Sequence, residues 1–336
     1  MEEETFDVKK LEEGKNVENL FAIRNKEGLS DYRNKPGKFF VLDVGNKNGD
    51  IKAKYWGGAN EEKTTKLYNE LHTGDIVTIS GQTKFDSYHK QLVIHINEES
   101  RYGQSNDYIK KADPTKVDFT EFLPTVDKDI DKMYEELKSH IRKIQTPPLQ
   151  NLLNVFFNDQ DFVLKFKRAP AAKSRHHNYI GGLLEHNLGV IKLCQDTYEH
   201  YPALDHDLLI TGAILHDIGK MGEYKLSASI DFSTEGMLVG HIVMGSKMIS
   251  DAIDQVDEFP ENLRMKLLHL IISHHGRLEY GSPVRPKFAE AVALHHADFQ
   301  DSDVKNILQK IEESSESEDD WTYMRDGDNS GYIYLK

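Results

Sequence analysis

The chain has 336 residues, 42 Lys+Arg against 56 Asp+Glu for a net charge of −14, 38% hydrophobic and 10% aromatic residues, and one cysteine. That length suggests roughly two domains of about 150 residues and excludes a disulfide-stapled miniprotein. Cys194 has no partner for an internal disulfide, no run approaches the ~18 apolar residues of a membrane span, and the acidity argues against a protein that coats duplex DNA by bulk electrostatics.

The acidic, polar start from Met1 to Glu13 lacks the basic and apolar stretches of a secretory signal, so a cytoplasmic protein without a membrane partner is expected. Residues 17–98 read as short strands with turns: KFFVLDVGN and GDIKAKYWG joined by Asn46-Lys47-Asn48-Gly49, a polar helical stretch from Asn60 to Leu71, then GDIVTISGQTKF and KQLVIHI. Strand, strand, strand, helix, strand, strand fits a five-stranded, partly open barrel better than a sandwich. Between Val17 and Lys90 twelve basic residues meet ten acidic ones, so this part escapes the overall acidity.

Alternation in GDIKAKYW puts Ile51, Ala53 and Tyr55 on one face and Lys52, Lys54 and Trp56 on the other. Lys-x-Lys-x-Trp is a charged track with a stacking platform. Phe39 is expected beside it on the preceding strand, Phe40 and Leu42 in the core, and Tyr88 above it from the hairpin Phe85 to His89. The alternative reading has Trp56 capping the barrel or packing against a neighbouring domain.

A linker is expected over residues 100–125, with Gly103, Pro114 and Pro124 and little periodicity. Beyond it the pattern turns helical. Ile130, Met133, Leu137, Ile141 and Ile144 recur at three- and four-residue steps until Thr146-Pro147-Pro148 stops them. Apolar-periodic segments follow at about 149–157, 182–201, 206–218, 237–254, 261–274 and 287–312, with no strand-like alternation between them. The expected division is a barrel at 1–99, the linker at 100–125, an all-helical domain at 126–313 and an acidic segment at 314–336. From Asp298 to Asp328, eleven acidic residues face three basic ones.

The helical part concentrates histidines: His176-His177, His186, His216-Asp217, His241, His274-His275 and His295-His296, with Asp298 close behind. Imidazole and carboxylate suit divalent metals, and no thiolate cluster competes. His186 shares a face with Leu183 and Val190, and His241 is expected on a buried face with Leu238 and Met244. His216-Asp217 and His274-His275 each end an apolar helix and are closed by Gly219 and Gly276. Asp298 shares a face with Leu294, an unexplained carboxylate aimed at the core. Lys220, one turn beyond the His216-Asp217 pair, suits the stabilisation of phosphate charge. Lys173, Arg175, His176 and His177, ahead of the first ligand helix, and Arg277, after the His-His-Gly turn, suit neighbouring phosphates. His295 is read as a partner of a ligand rather than a ligand.

The order H…HD…H…HH…D resembles the HD-domain superfamily of metal-dependent phosphohydrolases. The words GGLLEHNLGV, AILHDIGK, ISHHGRLEYGSPVRP and ALHHADFQD resemble the YhaM family of 3′-to-5′ exoribonucleases. The resemblance implies a first metal site of His186, His216, Asp217 and Asp298, with Asp217 bridging to a second of His241, His274 and His275. Asp217 is then catalytic as well as a ligand, and a mononuclear reading uses only the first four residues. It also implies Mn, although the donor set admits Fe, Co, Ni or Zn. The N-terminal barrel resembles the nucleic-acid-binding OB-fold of single-strand binders. Together these imply an α+β two-domain protein, an OB-fold barrel followed by an all-α HD domain, that acts as a 3′-to-5′ exonuclease on single-stranded RNA and also DNA. Polarity comes from the resemblance alone. The alternatives are a hydrolase of small or cyclic nucleotides with a regulatory barrel, and a non-catalytic single-strand-binding protein. The sequence is compatible with a homo-oligomer and does not fix the oligomeric state.

Overall fold

The computed structural model describes residues 6–86, 91–100, 103–104, 106–113, 117, 121–173, 176–227, 229–314, 319–324 and 330–336. It divides into two compact units, Met1–Pro124 with Leu226–Ser229, and Thr125–Lys225 with Ile230–Lys336.

The first unit is built on β1 (Asn16–Lys26), β2 (Ser30–Asp31), β3 (Lys38–Asn46), β4 (Gly49–Trp56), α1 (Glu61–Glu70), β5 (Ile76–Asp86), β6 (Gln91–Asn97), β7 (Glu99–Ser100), β8 (Gly103–Gln104) and β9 (Tyr108–Lys111). The order β1-β3-β4-β6-β5, closed by β1–β5 pairing from Asn16↔Gln82 to Ala22↔Ile76, makes a closed five-stranded barrel. Among the described strands of the barrel, β4 and β6 pair in parallel and the others antiparallel. Phe21, Phe40, Leu42, Ala53, Ile79, Ile94 and Ile96 fill the barrel and are fully buried, as period-two alternation demands. Asn60 caps α1 by accepting from the Lys63 amide.

The expected linker is corrected here. β9 extends the sheet by pairing with β5, and Phe122 packs with Ala22 and Ile76. β9 buries only Ile109, too little alternation to read as a strand.

The second unit contains α2 (Ile130–Lys143), α3 (Pro147–Phe157), α4 (Gln160–Arg168), α5 (Gly182–His200), α6 (His206–Leu215), α7 (Lys220–Glu223), β10 (Tyr224–Leu226), β11 (Ile230–Phe232), α8 (Thr234–Val239), α9 (His241–Ile253), α10 (Glu261–Ser273), α11 (Ala289–Glu313), β12 (Trp321–Met324) and β13 (Gly331–Tyr334). Pro147 and Pro148 sit in the first turn of α3, where a missing amide hydrogen costs nothing. From Asp207 to Leu215 every residue of α6 is buried, so it forms the centre of the unit with α5, α10 and α11 against it.

Three further readings change. The all-helical expectation misses the hairpins β10–β11 and β12–β13. The helix α4, with Val163 and Phe166 buried, had no sequence counterpart. The segment 237–254 is two helices, broken at Gly240 with φ +77°. Leu238 therefore lies on α8 and is 81% exposed rather than buried beside His241. In the C-terminal hairpin Trp321, Tyr323, Tyr332 and Tyr334 are exposed, while Met324 and Ile333 are buried. Of the two tryptophans, Trp56 belongs to the barrel and Trp321 to this hairpin.

Candidate metal centre and nucleic-acid face

Helix ends deliver most of the metal-binding candidates. His186 projects from the first half of α5; His216 terminates α6 and Asp217 follows it; His241 opens α9; His274 terminates α10 and His275 follows; Asp298 lies on α11. Two glycines make the convergence sterically feasible. A Cβ on Gly219 would stand 2.0 Å from the His241 carbonyl oxygen, and one on Gly276 would stand 2.2 Å from the His295 ring.

His186 Nε2 lies 3.1 Å from His216 Nε2, 3.2 Å from Asp298 Oδ1 and 3.4 Å from Asp217 Oδ2. The other oxygen of Asp217, Oδ1, is 3.5 Å from Nε2 of both His241 and His274. Donor atoms of Asp217, His241, His274 and His275 lie within 4.8 Å of one another, as do those of His186, His216 and Asp298. Asp217 thus presents one oxygen to each group.

The opposite ring nitrogens set the chemistry. Nδ1 of His216, His274 and His275 faces the carbonyls of Ala213, Ile271 and Tyr280 at 2.9, 2.6 and 2.7 Å. Nδ1 of His241 faces Glu223 at 3.0 Å, and Nδ1 of His186 faces Asp301 at 2.7 Å. Carbonyl and carboxylate oxygens only accept, so Nδ1 carries the hydrogen and Nε2 is left to offer a lone pair. Nε2 of His241 and His274 and Oδ1 of Asp217 are buried with no hydrogen-bond partner among the described residues. Lone pairs gathered without donors in a buried place are the environment a cation satisfies. The donor set therefore fits divalent metal.

Electrostatics point the same way. Burial pushes His275 down to about 3, keeping it the neutral imidazole that a metal requires. Burial would raise Asp217, but Lys220 and His216 outweigh it and hold the carboxyl well below the usual range. For His186 burial pushes down, and Asp217, Asp298 and Asp301 reverse the sign, raising it well above its ordinary value.

Lys220 is buried, with Nζ 2.6 Å from Asp217 Oδ2. His295 donates from Nδ1 to the His274 carbonyl at 2.9 Å and so supports a candidate ligand. The phosphate candidates fare unevenly. Lys173 is paired with Asp231 at 2.8 Å, and Arg277 is exposed over the Tyr280 ring. Arg175 lies outside the described residues. His177 requires correction: it is 2% exposed, and its ring nitrogens face Glu185 and Asp301 at 3.1 and 3.0 Å, leaving neither for a phosphate. The rings of both His176 and His177 lie beside His186, with centroids 6.1 and 5.5 Å away. Sequence reasoning missed Asp301 and Glu223. Asp301 had a signal, its three-residue spacing from Asp298 on one face of α11.

On the barrel, Phe39 and Trp56 are paired across β3 and β4 with ring centroids 5.2 Å apart. Tyr32, a third ring that the sequence did not single out, stacks on both, at 5.6 Å from Phe39 and 6.0 Å from Trp56. Its hydroxyl donates to the Gly57 carbonyl at 2.9 Å, and Lys35 lies over its face. Trp56 Nε1 donates to His95 Nδ1 at 3.3 Å. The charged track is corrected: Lys52 is bound by Glu27 and Asp43, both at 2.7 Å, and Lys54 by Asp86. These strands carry compensated charge beside a stacking surface. Tyr88 lies outside the described residues.

Residues 183–303 match the HD domain family. A 3′-5′ exoribonuclease YhaM from a Geobacillus strain is 30% identical over 82% of this chain and 79% of its own length. The proteins of the same name from Bacillus velezensis and Bacillus subtilis are 30% and 27% identical over 87% and 90% of this chain and 86% and 89% of theirs. A solved replication protein A heterotrimer bound to ssDNA shares 15% identity over 39% of this chain and 29% of its own, with a TM-score of 0.25, too slight a likeness to carry an argument. With residues 183–303 matching the HD domain and a relative 30% identical across four fifths of its length, the chain belongs to the YhaM family of 3′-5′ exoribonucleases.

Proposed function

We propose that this chain shortens single-stranded RNA, and single-stranded DNA as a further substrate, from the 3′ end. His186, His216, Asp217 and Asp298 hold one divalent cation, and Asp217, His241, His274 and His275 a second. The observation that carries this reading is the bridging position of Asp217, 3.4 Å from His186 on one oxygen and 3.5 Å from His241 and His274 on the other. Mn is our assignment for the ions, from the family resemblance and the all-N,O donor set. The single, buried Cys194 supports a cytoplasmic location.

Bound there, a cation pair supplies a nucleophile at neutral pH and neutralises phosphodiester charge. Asp217, with one oxygen toward each group of donors, would be shared by both ions. Lys220 holds a buried positive charge against Asp217; burial alone would lower its pKa, but Asp217 and Asp298 raise it, so the ammonium persists and is available to a phosphate oxygen. His176, held down to about 3 by burial and by Lys220, stays neutral and offers a hydrogen bond beside His186. Lys173 and Arg277 are our candidates for more distant phosphates. Tyr32, Phe39 and Trp56 give the barrel a surface on which any base stacks, suiting a nuclease that tracks a strand without reading it.

The test is digestion of 3′- and 5′-labelled single strands with metal or chelator. Stepwise shortening from the 3′ end that chelator stops is the expected result. Chelator-insensitive cleavage, or inhibition by mononucleotides as strong as by oligonucleotides, would refute the assignment.

A further inference from the structure

The described residues contain a third group of metal-type side chains, His177, His186 and Asp301. It differs from the group of Asp217, His241, His274 and His275 in having its hydrogen bonds completed among the described residues. Asp301 Oδ2 faces His186 Nδ1 at 2.7 Å and His177 Nε2 at 3.0 Å. His177 Nδ1 faces Glu185 at 3.1 Å and Tyr179 at 3.2 Å. Glu185 is itself paired with Lys128 at 2.9 Å and Lys305 at 3.4 Å. Among the described residues, no buried side-chain atom of this group lacks a hydrogen-bond partner in the way of His241 Nε2 or Asp217 Oδ1.

The backbone is shaped to keep the chain of contacts. His177 has φ +55°, in the left-handed region that non-glycine residues seldom occupy. Its amide donates to the Gln309 side chain at 2.9 Å and its carbonyl accepts from Ala171 at 3.1 Å, so the conformation is held from both sides. Gly182 passes so close that a Cβ would be 2.0 Å from the His177 carbonyl oxygen, and a Cβ on Gly189 would be 2.1 Å from Asp301 Oδ1. Close glycines on both sides leave little freedom for either residue.

We propose that Asp301 and His177 are positioning residues that orient the His186 imidazole, fixing the hydrogen on Nδ1 and aiming Nε2 at the metal, with Glu185 and its lysines anchoring the far end. This rests on the metal-dependent reading above. Carboxylate and imidazole partners of this kind are worth about 10–100-fold in metal affinity.

The experiment is a Co²⁺ titration of the full-length, chelator-stripped chain, followed by visible absorption and ion counting, with melting temperature measured alongside. Asp301→Ala should weaken Co²⁺ binding by about 10–100-fold and change the absorption bands. His177→Asn, which tolerates the left-handed backbone but is too short to bridge Asp301 and Glu185, should weaken binding in the same direction by less. Asp301→Asn, able to keep an acceptor in place, should recover part of the loss. If both Asp301→Ala and His177→Asn bind Co²⁺ as the unaltered chain does, with unchanged spectra, the positioning role is wrong, whatever happens to melting temperature. If the unaltered chain binds a third ion that these variants lose, the group is itself a metal site. If the unaltered chain takes up no Co²⁺, the metal-dependent reading fails first.

Discussion

The Nε2 atoms of His186 and His216 stand 3.1 Å apart, and the Nδ1 of each faces an acceptor, Asp301 for one and the Ala213 carbonyl for the other. Two lone pairs at that distance repel unless a proton or a cation lies between them, and the carboxylates of Asp217, Asp298 and Asp301 favour a proton on His186, raising it well above its ordinary value.

Metal uptake must therefore expel that proton. His186 titrates above its ordinary value of 6.5 in the metal-free protein, so its contribution to stability is full below about pH 6.5 and fades as pH rises through the folded value. Metal affinity should run oppositely, strengthening by about tenfold per pH unit while His186 remains protonated. Calorimetry in buffers of different ionisation enthalpy would count the released proton. Affinity independent of pH between 6 and 8 would contradict the arrangement.

Asp217→Asn should reduce hydrolysis by at least about 100-fold, because an amide bridges two cations poorly and Lys220 loses its counter-charge. Binding of a single strand by the barrel should persist. Turnover of a 3′-labelled strand within threefold of the unaltered rate, far inside the effect expected for a ligand, would remove Asp217 from the centre.

His241→Ala, His274→Ala and His275→Ala should each lower metal content from two ions per chain toward one. Elemental analysis of the purified variants decides this. Metal content unchanged in all three would remove these histidines from metal binding, and a single ion per unaltered chain would leave the mononuclear set of His186, His216, Asp217 and Asp298.

Trp56→Ala and Tyr32→Ala should each weaken strand binding by about 1–3 kcal/mol, the range for losing one base–aromatic stack. Lys52→Ala with Lys54→Ala should barely alter the salt dependence, since both lysines are already matched by Glu27, Asp43 and Asp86. A loss of about 1.4 in the salt slope, the amount expected for two phosphate contacts on a single strand, would return both lysines to the nucleic acid.

Gly276→Ala should destabilise the protein by more than about 1 kcal/mol, because φ is +74° and the new methyl meets His295. Adding His295→Ala should relieve the clash but not the backbone strain, so melting temperature should recover in part. Full recovery would mean that the backbone conformation carries no cost.

These residues also show what a sequence can reveal. His216, Asp217, His274 and His275 stood out as candidates because two residues of ligand type, an apolar helix and a closing glycine are adjacent in the chain, and Asp298 because a carboxylate on an apolar face needs a reason. Asp301 serves residues 115 and 124 positions away and is announced only by its three-residue spacing from Asp298, whereas Glu223 serves His241 across a hairpin and a helix break, where no local pattern announces it. The barrel was legible from alternation in β3 to β6, whereas Tyr32 reaches the stack beside a two-residue strand, too short to alternate. His177 was read as a phosphate contact from its place ahead of the first ligand helix, while its ring is buried between Glu185 and Asp301.

The placement of the two tryptophans, one per compact unit, makes the chain its own optical probe. With Trp321→Phe, emission would come from Trp56 alone and would report base stacking on the barrel without interference from the exposed C-terminal indole. With Trp56→Phe, the remaining emission would follow the C-terminal hairpin, so that denaturant titrations of the two variants would show whether the barrel and the helical unit melt at one midpoint or at two.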